Sequence, residues 1–174
     1  MMGVIKVNHF WIPMPDGARL GARLWLPNDK KSYPAILEYI PYRKDDYTVK
    51  RDSNTIAHFA KHGYACIRVD MRGSGSSDGV LYDEYTDQEI DDGVAVIDWI
   101  ASQSWCNGKV GTMGISWGGI TGMQLAQRSP EALKTIITLG SSDQRYYDDG
   151  GYYMGCMVGQ TLGWGAIMFG FNSR

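Results

Sequence analysis

The 174-residue chain reads as an α/β domain, a mostly parallel sheet with helices on both faces. Three observations predict this. Near-continuous apolar runs at 34–40, 64–69 and 133–139 have the pattern of strands buried on both sides. Stretches with helical spacing of apolar residues lie between them. A glycine-flanked serine, Gly114-Ile115-Ser116-Trp117-Gly118, sits where a strand passes into a helix.

The elements follow in order. Residues 4–12 and 22–26 are β-rich runs around the turn Pro15-Asp16-Gly17, a hairpin. Residues 34–40 form a third strand, stopped by Pro41 and followed by the polar loop 42–46. Asn54 caps a short helix that runs to Lys61 and closes at Gly63. Strand 64–69 ends in the turn-rich segment Asp70-Met71-Arg72-Gly73-Ser74-Gly75. After Thr86, Ile90, Val94, Ile97 and Ala101 recur at helical spacing, and Asp87, Glu89, Asp91 and Asp92 place acid at the positive end of the helix dipole. Residues 110–115 are a strand, 117–127 a helix and 133–139 another strand. The segment 150–173 carries no charge but seven glycines, which with Gln160, Thr161 and Asn172 make it a poor membrane span. It is expected to be a helical segment packed on the domain.

Composition excludes several classes. A hydrophobic content of 44% with 21% charged residues is globular, and the length suits one domain with a real core. A net charge of −2 without a basic run leaves no footprint for nucleic acid. The N-terminus lacks a secretory signal and no membrane partner is expected. Cys66, Cys106 and Cys156 are an odd, widely spaced set, as in reduced thiols of a cytoplasmic protein.

Gly-x-Ser-x-Gly between a strand and a helix is the nucleophile elbow of an α/β-hydrolase fold. The sharp turn forces Ser116 into a strained backbone with its hydroxyl presented, and glycines two before and two after relieve the crowding. That chemistry also takes an acid and a histidine later in the chain. His9, His58 and His62 all precede Ser116. His58 and His62 share a helix face, but Phe59 stands where a zinc-protease motif has glutamate, so a surface or packing role is expected and no metal. Asp70 and Arg72 read as turn-holding residues, and Gly73-Ser74-Gly75 lacks the Lys-Ser/Thr of a phosphate loop.

The run 70–79, the stretch Trp105-Cys106-Asn107-Gly108-Lys109-Val110-Gly111 and the turn at Ser116 together resemble the cocaine esterase and X-Pro dipeptidyl-peptidase family of α/β-hydrolases, which includes α-amino acid ester hydrolases. The similarity runs from about residue 7 onward. The resemblance implies that Ser116 is the nucleophile attacking an ester or amide, that the backbone N–H of Trp117 is one oxyanion donor, and that the Tyr42 hydroxyl is the other. It implies a small-molecule ester or peptide substrate and no cofactor. Asp148 and Asp149 resemble an acidic step that opens the cap in the amino acid ester hydrolases and pairs with a substrate ammonium; the start of a solvated helix is the competing reading. Trp164, Met168 and Phe169 are candidates for an acyl pocket, with buried packing as the alternative.

The resemblance also divides the chain into 1–141, the N-terminal part of the hydrolase core, and 142–174, the start of a helical cap. Family members are much longer, with the acid and histidine beyond the cap. The fold is therefore expected to be truncated after its sixth strand, leaving an open apolar sheet edge prone to self-association. A catalytically inert fragment or subunit is the alternative to an active hydrolase.

Overall fold

The computed structural model describes residues 3–29 and 31–172. Strands β1 (Val4–Pro13) and β2 (Arg19–Pro27) form an antiparallel hairpin that is in register from Val4 opposite Pro27 to Pro13 opposite Arg19 and shifts between Val7 and Phe10. Its turn is closed by the amide of Met14 donating to the Ala18 carbonyl at 2.8 Å, with Gly17 at φ +90°. Then follow β3 (Tyr33–Ile40), α1 (Val49–Lys61), β4 (Ala65–Asp70), α2 (Asp87–Ala101), β5 (Cys106–Ile115), α3 (Trp117–Arg128) and β6 (Leu133–Leu139).

The sheet order is β1-β2-β4-β3-β5-β6, with β4, β3, β5 and β6 parallel and β2 antiparallel to both of its neighbours, β1 and β4. From β3 the chain crosses to β4 on one side, then returns to β5 on the other. The C-terminal ends of β3 and β5 thus flank a topological switch point, where open α/β sheets bind ligands. Every residue of β4 is buried, as its central position requires.

Each sheet face has its own core. One holds Leu37, Val69, Ile97, Ile100, Trp117 and Leu125 beneath α2 and α3. The other is a small cluster of Trp25, Ile56, Ala60 and Cys66 beneath α1. Burial pushes the Cys66 thiol up to about 12, so it stays protonated and inert. Helices α2 and α3 approach closely at Gly93, where a Cβ would lie 2.8 Å from Leu125 Cδ2.

Helix α1 starts five residues earlier than the Asn54 cap expected from sequence. Asp52 is buried in the first turn: Thr48 donates to its Oδ2 at 2.9 Å, and Arg68 Nε donates to the same atom at 3.3 Å. Tertiary ion pairing therefore set the start. Strand β5 also starts earlier, at Cys106, with Gly108 at φ +80° inside it.

The segment expected to be helical over 150–173 is mixed. A three-stranded antiparallel sheet of β7 (Asp148–Asp149), β8 (Tyr152–Tyr153) and β9 (Cys156–Met157) precedes α4 (Gln160–Asn172). Gly155 at φ +82° makes the β8–β9 turn, a conformation that disfavours helix. Among the described residues no helix is long and apolar enough to cross a membrane. Among the described residues strand β6 pairs only with β5, which leaves Ile137 and Leu139 half exposed, at 50% and 51%.

Candidate active site

Ser116 stands between the last residue of β5 and the first of α3, with φ +57° and ψ −119°. A serine held there costs about 1–3 kcal/mol, so its surroundings must enforce it. They do so from both sides. The Ser116 amide donates to the Leu139 carbonyl at 2.8 Å, and its carbonyl accepts from the amides of Gly119 (2.9 Å) and Ile120 (3.1 Å). The glycines are required by close approach. A Cβ on Gly114 would run into the backbone of Gly118 and lie 2.7 Å from the Gly119 nitrogen. One on Gly118 would meet Ile40 Cγ2, and one on Gly119 would sit 2.8 Å from Ser141 Cβ. The Ser116 side is open to solvent.

Tyr42 follows β3, across the switch point, in a loop where Arg43 takes φ +53°. Its ring packs edge-on to Trp164 and tilted against Phe171, each with centroids 6.1 Å away. Burial raises its hydroxyl above the usual tyrosine range, and hydrogen bonds with the Ser116 side chain and the Trp117 amide oppose the rise. The Ser116 side chain and the Trp117 N–H therefore both meet the Tyr42 hydroxyl. The Trp117 amide is also among the first N–H groups of α3, which have no partner inside the helix.

Trp117 itself is buried, and its indole Nε1 donates to Glu89 Oε1 at 2.9 Å. Thr121, one turn on, donates to the same oxygen at 2.7 Å, and the Tyr85 amide donates to Glu89 Oε2 at 3.0 Å. From sequence Glu89 read only as an acid near a helix start; it is the buried post on which α3 is mounted. Burial raises its pKa against those three hydrogen bonds. A folded-state pKa above the unfolded one means the stability is fully present below about pH 4.3 and is lost as pH rises through the folded value. Glu89→Gln keeps an acceptor for Trp117 and Thr121 but has no proton to lose. Its fall in melting temperature between pH 4.5 and 7.5 is expected to be smaller than that of the parent chain. Equal falls, measured by thermal unfolding at both pH values, would contradict this account.

Ser116 opens into a cavity of about 740 Å³ that also takes in Ser141, Asp148, Asp149 and Trp164. Glu84, Tyr85 and Arg145 complete the wall that matters electrostatically. Arg145 Nε donates to Asp149 Oδ2 at 2.6 Å, its Nη2 to Glu84 Oε2 at 2.7 Å, and its guanidinium lies 4.4 Å over the Tyr85 ring. Trp164 Nε1 donates to Glu84 Oε1 at 2.7 Å. Asp149 thus enters the cavity with its cation already in place, while Asp148 is exposed at the edge. Met168 is buried in the core and Phe169 faces outward, so of the three acyl-pocket candidates only Trp164 lines the cavity. Glu84, Tyr85, Arg145 and Ser141 carry no sequence signal, because loops distant in the chain bring them together.

The remaining candidates lie elsewhere. Arg72 forms a bidentate pair with Asp92 at 2.6 and 2.7 Å and reaches Asp16 at 2.9 Å. Asp70 and the 73–75 segment build the turn, with the Ser74 amide on the Met71 carbonyl and the Ser77 hydroxyl on the Asp70 carbonyl. His9 packs on Trp11, and the His58 and His62 rings lie 4.3 Å apart at the C-terminal end of α1, with His62 just past its last residue. None of the three histidines lines the Ser116 cavity. Among the described residues no group of three or more His, Cys, Asp or Glu is placed to hold a metal ion.

The strand order, the crossovers and the strand-to-helix turn at the switch point are those of the α/β-hydrolase fold. A family model for X-Pro dipeptidyl-peptidase (S15 family) matches residues 16–173, and the chain belongs to that family. It is 33% identical over 166 residues to the cocaine esterase of Rhodococcus sp. (strain MB1 Bresler), covering 92% of this chain and 28% of that protein. It is 32% identical over 106 residues to a putative Xaa-Pro dipeptidyl-peptidase of Streptomyces avermitilis, covering 52% of this chain and 15% of that one. A CocE/NonD family hydrolase from Staphylococcus aureus superposes with a TM-score of 0.84 at 26% identity, covering 96% of this chain and 33% of that one. The chain therefore spans no more than a third of the length of these proteins.

Proposed function

We propose that the chain carries the nucleophile elbow and oxyanion hole of a serine hydrolase that cleaves an ester or amide through an acyl-enzyme on Ser116. The observation that carries this reading is the meeting of the Ser116 side chain and the Trp117 amide at the Tyr42 hydroxyl. The Ser116 oxygen attacks the carbonyl carbon and its proton passes to a base. The oxygen of the tetrahedral intermediate takes hydrogen bonds from the Tyr42 hydroxyl and the Trp117 N–H, at the positive end of α3. The leaving group departs with a proton, and water then releases the acid. The family and its named relatives support an acyl ester or an X-Pro peptide as substrate. Unpaired thiols at Cys66, Cys106 and Cys156 support a cytoplasmic setting.

A second reading, an inert fragment or subunit, has one observation in its favour: no histidine of the chain lines the cavity. A serine without a base is a poor nucleophile at neutral pH. Imidazole added in solution can stand in for the missing base and separate the readings. With a fluorophosphonate and intact-mass detection, labelling of Ser116 is expected to accelerate about 10-fold or more in imidazole. Ser116→Ala should abolish it. A folded chain that gains no Ser116 adduct with imidazole present would leave the inert reading standing.

A further inference from the structure

The sheet face beneath α1 is filled largely by charge. Arg23 of β2 stands opposite Arg68 of β4, Glu38 of β3 stands beside Arg68, and Asp70 lies two residues further along β4 on the same face. All four are buried, as is Asp52 of α1. Arg68 approaches Glu38 and Asp52 at 3.7 and 3.3 Å, and Arg51 bonds both acids.

The loop that carries Tyr42 is tied to this row at three points. Arg23 donates through Nη1 to the Lys44 carbonyl at 2.6 Å and through Nη2 to Asp45 Oδ1 at 2.7 Å. The Lys44 amide donates to Asp70 Oδ1 at 2.8 Å. Arg68 Nη2 donates to the Thr48 hydroxyl at 3.1 Å. Arg68 is fully buried, and its second terminal nitrogen, Nη1, has no hydrogen-bond partner. A buried ion array is seldom more stabilising than apolar packing of the same volume, so stability alone does not account for it.

We propose that this array is a clamp for Tyr42: Arg23, Arg68 and Asp70 are positioning residues that hold its hydroxyl at Ser116. The inference rests on the oxyanion role of Tyr42 given above.

The test replaces Tyr42 with 3,5-difluorotyrosine and follows its fluorine resonance. Asp70→Ala, which loses the acceptor for the Lys44 amide, is expected to shift the resonance and to slow imidazole-assisted phosphonylation of Ser116, and Asp70→Asn to restore both. No shift in the resonance of folded Asp70→Ala would overturn the clamp. The fluorine readout does not depend on Ser116 reactivity. A shifted resonance with an unchanged rate of phosphonylation would therefore overturn the oxyanion role and leave the clamp in place.

Discussion

Tyr42→Phe is expected to slow imidazole-assisted phosphonylation of Ser116 by about 10²-fold, the usual effect of removing one oxyanion donor, or about 3 kcal/mol. The change deletes one oxygen. The ring keeps its packing against Trp164 and Phe171, and α3 keeps its mount on Glu89. The hydroxyl makes its hydrogen bonds to Ser116 and the Trp117 amide, so the loss falls on the reacting centre. Thermal stability should change by no more than about 1 kcal/mol, the typical net worth of one hydrogen bond. An unchanged second-order rate constant, with the melting temperature also unchanged, would remove Tyr42 from the oxyanion hole.

Gly114→Ala should have the largest effect on folding. The methyl would collide with the carbonyl carbon and oxygen of Gly118 and the nitrogen of Gly119, all backbone atoms. No rotamer change relieves such a clash. Either β5 or the first turn of α3 must move, and the Ser116 geometry goes with it. A loss above about 4 kcal/mol is expected, which in a domain of this size lowers the melting temperature by roughly 8–16 °C or abolishes folding. Gly163→Ala is the control. It lies in α4 with nothing within 4 Å of its Cβ position, and exchanging glycine for alanine in a helix is worth about 1 kcal/mol in favour of the variant. Similar melting temperatures for Gly114→Ala and the parent chain would show that the turn tolerates a side chain, and that the glycines are not what shapes it.

Local patterns carried a good part of this structure into the sequence. The apolar runs at 34–40, 64–69 and 133–139 became β3, β4 and β6; β3 and β4 are largely buried, as runs without polar alternation predict, whereas β6 was read as a buried strand and is an edge strand with no buried residue. The glycines around Ser116 marked a turn that only glycine can make. Helix α2 was readable from its spacing and from Thr86, whose side chain accepts from the Glu89 amide.

What escaped was charge that acts at a distance. The start of α1 was misplaced because Asp52 pairs with Arg68, sixteen residues away and on a different element. Glu89 looked like any acid near a helix N-terminus; its contact with Trp117 spans 28 residues. Arg145 and Glu84, which hold Asp149 and Trp164 in the cavity wall, are 61 residues apart. The strands β7, β8 and β9 of two residues each are too short to show a period.

The sequence by itself determined the order of strands and helices as far as β6, the serine at the strand-to-helix turn and the glycines that permit it, because each depends on near neighbours in the chain. The tertiary structure decided the rest. It brought Tyr42 to Ser116 across the switch point, sank Glu89 beneath Trp117, paired Asp149 with Arg145 and set a row of buried charge under the Tyr42 loop. Such long-range contacts draw their energy from burial and pairing that exist only once the sheet has formed, and no local pattern records them.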